Sequence, residues 1–376
     1  MRSRIGYIGM AVVLAVVAGL SAADAAETPK PVIQIAILLD TSGSMSGLIE
    51  QAKTQLWRMV NEFITMKRNG RRPEIQVALY EYGKSSIPAS EGYIRMILPL
   101  TTDLDKVSQE LFALGTNGGS EYCGAVIKAA LEGLQWSTTN TELKVIFIAG
   151  NEPFTQGKVD YRESCKAAIS KGIIVNTIHC GSISAGVSGK WKDGADLADG
   201  KFMCINQNKQ VVHITAPQDK ELARLSGELN KTYVAYGVRG RAGRENQYAQ
   251  DSNAAGVAPS VAAERAKTKA SHSYRNASWD LVDAVEEGKV KLEDVKKEDL
   301  PKEMQEMDPA ARQAYVETQT KKRAEVQAKI QDLSKARDAY IAEERKKLSE
   351  KGEDTLDAAI ITAVREQAQR KNFQTE

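Results

Sequence analysis

The sequence has 376 residues, enough for two or more folding units, and its 42% hydrophobic and 27% charged content is that of a soluble globular protein. Its 51 Lys and Arg face 49 Asp and Glu, a formal net charge of +2. No basic surplus is available to neutralise a phosphate backbone, so nucleic acid is excluded as a partner class.

Residues 1–25 read as a secretory signal. Arg2 and Arg4 open it, "IGYIGMAVVLAVVAGL" forms the apolar centre, and Ala23-Asp24-Ala25 supplies the small-residue site. Cleavage is expected after Ala25 or one residue later. The apolar stretch Ile5–Leu20 is short for a membrane span, which needs about 20 residues, and no Cys follows it to carry a lipid. The mature chain is therefore expected in the periplasm or outside the cell, with no transmembrane segment after cleavage.

From Pro31 to Gly237 strand-like and helix-like segments alternate. "VIQIAILLD" reads as a buried strand, and the helix after it carries Leu48, Ala52, Leu56, Val60 and Phe63 on one face. "EIQVALYEYG" and "YIRMILPLT" flank a turn-rich loop and predict a hairpin. A short helix near Asp103–Leu111 follows. The Gly-rich "GTNGGSE" then leads into a helix over Tyr122–Leu134. "LKVIFIAG", the helix "VDYRESCKAAISKG", the strand "IIVNTIHCG" and a short helix in "GKWKDGADLADGKF" continue the alternation to a last strand. "APQDKELARLSGELN" closes the region as a helix. This pattern predicts an α/β fold, a Rossmann-like doubly wound and mostly parallel sheet with helices on both faces. Ligands of such sheets sit at the carboxyl ends of the strands, where the connection order reverses.

Residues 238–275 are polar and Ala-rich and read as a partly helical linker. Residues 276–376 form a helical C-terminal region. Trp279, Leu281, Val282 and Val285 predict a short helix and turn, and Asp308-Pro309 supplies an N-cap and first helical residue. The long helix at about 308–349 carries a narrow stripe of Val326, Ile330, Leu333, Ile341 and Leu348, interrupted by Arg337 and Glu344. So thin a stripe predicts a helical hairpin or coiled coil, and with it self-association. A final helix at about 355–371 is expected to fold back on the long one.

"LLDTSGSM" places Asp40, Ser42 and Ser44 where the first strand leaves the sheet. Alternate side chains of an extended loop share a direction, and carboxylate and hydroxyl oxygens suit Mg²⁺, Mn²⁺ or Ca²⁺. Thr116 and Ser120 of the Gly-rich loop offer further oxygens. The competing reading is that these residues cap the helix starting near Ser46. Cys123, Cys165, Cys180 and Cys204 make an even count, which permits disulfides in an exported chain. A Cys165–Cys180 bridge would close about 16 residues and contribute roughly 3 kcal/mol, and Cys123 is an alternative partner for either. His179, His213 and His272 are scattered, and no C-x-x-C marks a zinc site. Enzyme readings find no support. No G-x-S-x-G surrounds Ser44, "YGKSS" lacks the Gly-rich lead of a phosphate loop, and no G-x-G-x-x-G follows the first strand.

With its preceding strand and following amphipathic helix, "DTSGSM" resembles the D-x-S-x-S metal-ion-dependent adhesion site of the von Willebrand factor type A (VWA) family, over residues 31–237. The resemblance implies a divalent cation, Mg²⁺ first and Mn²⁺ or Ca²⁺ next, at Asp40, Ser42 and Ser44. Ser120 after Gly118-Gly119 fills the family's third loop position, with Thr116 as the alternative. The fourth position, usually an Asp, is Gly150 here, with Asn151 or Glu152 as nearby substitutes. Loss of that charge implies a weaker site, or one completed by a carboxylate from a protein partner. The function so implied is an exported, non-enzymatic, adhesion-type interaction module. The alternative is a metal-independent envelope scaffold assembled through the C-terminal helices.

Overall fold

The computed structural model describes residues 30–205, 213–349 and 356–375; the signal segment 1–25 lies outside them. The chain runs through β1 (Val32–Asp40), α1 (Ser46–Ile64), β2 (Met66–Lys67), β3 (Glu74–Tyr82), β4 (Ile94–Thr101), α2 (Leu104–Ala113), α3 (Cys123–Gly133) and β5 (Leu143–Gly150). It continues through α4 (Tyr161–Ser170), β6 (Ile174–Cys180), α5 (Ile183–Ser188), α6 (Trp191–Leu197) and β7 (Phe202–Ile205). The main sheet has the order β4-β3-β1-β5-β6-β7, parallel except for β4, which pairs antiparallel with β3 as the hairpin pattern predicts. After β1 the chain moves outward to β3 and β4, then returns to place β5 on the other side of β1. The crossover point thus lies at the carboxyl ends of β1 and β5, beside Asp40 and Gly150.

Period-two alternation along β1 divides the core. Ile33, Ile35, Ile37 and Leu39 pack beneath α1 and α2, whereas Ala36 and Leu38 meet α3, α4 and α6 on the other face. The face of α1 read from its sequence is the one buried: Leu48, Leu56, Val60 and Phe63 are each at most 4% exposed.

The remaining helices are α7 (Asp219–Asn230), α8 (Gly237–Val257), α9 (Pro259–Lys269), α10 (Leu281–Glu286), α11 (Lys302–Gln305), α12 (Pro309–Ser349) and α13 (Leu356–Arg370), followed by β8 (Gln374–Thr375). Residues 238–275 form α8 and α9, packed on α1 and α2 and not strung as a linker. Helix α7, expected to close the sheet unit, lies instead on α9 and α12, and Leu222, Leu225 and Leu229 join Tyr233, Ala266, Tyr274 and Ile330 in a separate apolar cluster. Asp308 caps α12 as its sequence predicts, accepting from the Ala311 N–H at 2.8 Å.

The coiled-coil expectation for α12 is not met. Val326, Ile330 and Leu333 of its stripe pack into the cluster formed with the chain's own α7 and α9, with Ile330 fully buried. Arg337, read as an interruption, belongs to the buried face. It donates to Asp219 at 2.6 Å and Glu264 at 2.7 Å. Arg323, one buried turn-set earlier, donates to Asp280 and Asp283, both at 2.8 Å, and lies 4.0 Å from the Tyr233 ring centre. Helix α13 comes back beside α12, Ala342 and Arg345 lining one cavity with Ile361 and Thr362, but its main packing is elsewhere. It packs on α1 and β7, its Ile360 and Val364 enter the core beneath α1, and β8 pairs antiparallel with β2. Asn176 of β6 and Gln367 exchange two buried hydrogen bonds, at 2.6 and 3.0 Å.

The Cys165–Cys180 bridge is not formed. All four cysteines are free, and the two residues face opposite sides of the sheet: Cys165 packs among Cys123, Ile127 and Phe154, and Cys180 among Ile178 and Ile205. Burial raises the Cys165 thiol to about 12, so it stays protonated and unreactive.

Candidate metal centre

β1 ends at Asp40, whose register partner on β3 is Tyr82. Asp40 is completely buried. Its Oδ1 accepts the Ser42 N–H at 2.7 Å, which turns the chain out of the sheet, while its Oδ2 is buried with no hydrogen-bond partner. An unpartnered buried carboxylate oxygen is a costly arrangement in water-excluded protein. Burial pushes the Asp40 carboxyl up to about 6, opposed by the Ser42 amide and hydroxyl, with the charge of Glu152 adding to the rise.

The helix-cap reading of Ser42 and Ser44 fails. The N-cap of α1 is Met45, and no side chain caps that end. The two hydroxyls instead face each other at 3.4 Å, as expected when alternate residues of a loop point one way. Asn151 joins them: its amide donates to Ser44 Oγ at 3.3 Å, and its Oδ1 is buried without a donor. Of the two substitutes read from the sequence, Asn151 therefore makes the direct contact. Glu152 acts on Asp40 through charge, and its carbonyl accepts from Trp191 Nε1 at 2.8 Å.

The Gly-rich loop closes over this point. Asn117 N–H donates to Thr41 O at 3.0 Å, Ser85 Oγ to Asn117 Oδ1 at 2.9 Å, and Gly118 lies in contact distance of Gly43. Gly119 sits so close to the Gly83 carbonyl that a Cβ would approach it to 2.2 Å. Thr116 and Ser120 are half-buried on this loop.

Two neighbours were not identified from the sequence. Tyr82 is fully buried and donates its hydroxyl to Ala149 O at 2.9 Å. A Cβ built on Gly150 would lie 2.6 Å from that hydroxyl and 3.1 Å from Asp40 Oδ2. Gly150 is thus required by the Tyr82 phenol, and no side chain has room at this position. Glu121, 6% exposed, is the second. Burial, then the charge of Asp40, raises its carboxyl to about 8, and the Ser42 hydroxyl opposes the rise. It stands in the quoted "GTNGGSE", the loop's one carboxylate. The three histidines lie apart: His179 lies tilted against Trp191, His213 meets Ser260 and His272 meets Pro73.

Among the described residues, no three His, Cys, Asp or Glu side chains gather closely enough to hold a metal by themselves. A cation here depends on hydroxyl and amide oxygens beside Asp40, a hard-donor set suited to Mg²⁺, Mn²⁺ or Ca²⁺. Residues 34–192, covering β1 to β6, this loop and the helices from α1 to the start of α6, match the sequence profile of the von Willebrand factor type A domain. The sheet unit is a VWA domain.

Structures similar to this VWA domain include the conserved hypothetical protein BatB from Bacteroides thetaiotaomicron, at 17% identity over 46% of this chain and 90% of that one, with a TM-score of 0.35. The SpRpn10 VWA domain matches at 16% identity over 48% and 90%, with a TM-score of 0.36. Proximal thread matrix protein 1 from the mussel byssus, with a zinc-occupied MIDAS motif, matches at 12% identity over 48% and 43%, with a TM-score of 0.34. Among curated proteins, none matches the sequence significantly.

Proposed function

We propose that this protein is an exported, non-enzymatic interaction module whose VWA domain engages a protein partner through a divalent cation. Asp40, Ser42, Ser44 and a loop hydroxyl, Ser120 before Thr116, would hold the ion, with the Asn151 amide oxygen at the position of the missing Asp. The bound ion would supply a Lewis-acidic point for an oxygen ligand from the partner. The observation that carries this reading is the completely buried Asp40 Oδ2, which has no donor, beside the unpartnered Asn151 Oδ1 and two facing serine hydroxyls. Oxygens left this way lose hydration without recompense, and a hard cation satisfies them together. Mg²⁺ is the first candidate because every donor is oxygen.

Export rests on the N-terminal sequence. No helix among the described residues is long and apolar enough to cross a membrane. Assembly through α12 is disfavoured, since Val326, Ile330 and Leu333 of its apolar stripe pack into the cluster formed with α7 and α9.

The test is calorimetry of the metal-stripped chain lacking residues 1–25, titrated with Mg²⁺, Mn²⁺ and Ca²⁺. Binding lost in Ser42→Ala/Ser44→Ala supports the reading. Equal binding by that variant, or none by the parent at millimolar metal, overturns it.

A further inference from the structure

Gly83 adopts a left-handed φ of +80°, and a Cβ placed on it would meet Glu121 Cγ at 2.7 Å and Asp40 Oδ1 at 2.9 Å. The absent side chain of Gly83 is therefore the gap through which the Glu121 side chain reaches Asp40. Glu121 is 6% exposed, and its Oε2 is buried with no hydrogen-bond partner. Two buried carboxyl groups brought to the same gap, each with an unpartnered oxygen, are costly to leave unmatched. A divalent ion between them would satisfy both oxygens.

We propose that Glu121 supplies the negative charge that the family's fourth-position Asp would carry, alongside the Asn151 amide oxygen, so that the charge missing from the end of β5 at Gly150 comes from the residue just before the N-cap of α3. The inference rests on the cation reading above and extends it. With Asp40 and Glu121 together offsetting a divalent ion, the chain holds its metal before any partner arrives, and a partner carboxylate is not needed for occupancy. Glu152, whose carbonyl accepts from Trp191 Nε1 at 2.8 Å, serves as the nearby carboxylate for comparison.

The experiment compares the parent chain, Glu121→Gln, Glu152→Gln and Ser42→Ala/Ser44→Ala by calorimetry with Mn²⁺ alone, and by melting with chelator and with Mn²⁺. The expected result is Mn²⁺ binding by the parent, at least tenfold weaker binding by Glu121→Gln, and less than twofold change in Glu152→Gln. Glu121→Gln should also lose the metal-induced rise in melting temperature that the parent shows, a loss that a merely structural glutamate would not produce. If the parent and Glu121→Gln bind alike while the double serine variant does not, the role of Glu121 is overturned and the cation reading stands. If the parent does not bind Mn²⁺, the cation reading fails and this inference falls with it.

Discussion

The hydroxyl of Tyr82 occupies the space a side chain at Gly150 would need, 2.6 Å from the Cβ position. Gly150→Ala should therefore destabilise the protein by about 1–3 kcal/mol, the usual range for overpacking a filled core. Tyr82→Phe alone forfeits the bond to Ala149 O, about 1 kcal/mol. The double variant should cost less than the two single costs added, with a coupling of about 1 kcal/mol. Urea unfolding of the four proteins measures it, and strict additivity would show that the phenol is not what excludes the side chain.

Arg337 sits 4% exposed between Asp219 of α7 and Glu264 of α9. Replacing it with Met leaves two carboxylates without their cation, and removing one partner of a buried pair costs about 3–5 kcal/mol. The triple variant Arg337→Met/Asp219→Asn/Glu264→Gln should recover much of that loss. Denaturant midpoints decide the matter: a triple variant as unstable as Arg337→Met would mean the guanidinium acts through packing alone.

These helices also show where sequence reading stops. The strands, α1 and the Asp308 cap were legible because period, apolar face and cap chemistry are local. Helices α8 and α9 were not, because much of their buried surface is Gln247, Gln250, Arg265 and Lys269, all at most 2% exposed. Such residues look like a solvated face until their partners appear: Arg265 reaches Asp105 at 2.7 Å, 160 residues earlier in the chain. Arg337 was misread for the same reason. At the site, Asp40, Ser42 and Ser44 followed from the motif and its spacing, while Asn151 and Glu152 were alternatives from the resemblance alone. Glu121 was visible in its loop but had no assignable role, since its approach depends on how that loop settles over Gly83.

His272 lies against the Pro73 carbonyl and the Ser273 hydroxyl, with the positive charges of Arg72, Lys30 and Arg275 nearby. Burial first, then those charges, push its pKa down to about 4 from the model-peptide value of 6.5, against the Pro73 carbonyl. Between these values the unfolded chain binds the proton and the folded chain does not, so stability falls as pH drops from 6.5 towards 4. After allowance for solvent screening the loss is on the order of 1 kcal/mol. His272→Gln should flatten that part of the pH–stability curve, and proton NMR should find the ring neutral at pH 5.

Cys123, Cys165 and Cys180 are buried and Cys204 is partly so, all as free thiols. Thiol titration without reductant should count four groups in denaturant, and far slower reaction in the native protein. Reductant should leave the melting temperature within about 1 °C, since no cross-link constrains the unfolded chain. A count of two would show that a bridge forms after export.

Helix α13 and β8 make the end of the chain a clasp on its beginning. Arg365 reaches Glu62 across 303 residues, and Gln367 meets Asn176 across 191. Contacts so distant in sequence form late and slowly. The apolar surface beneath α1 is thus completed by Ile360 and Val364, so the VWA domain borrows part of its core from a segment far along the sequence from its strands. A single cut before α13 would unlatch that surface while leaving every residue of the cation motif in place.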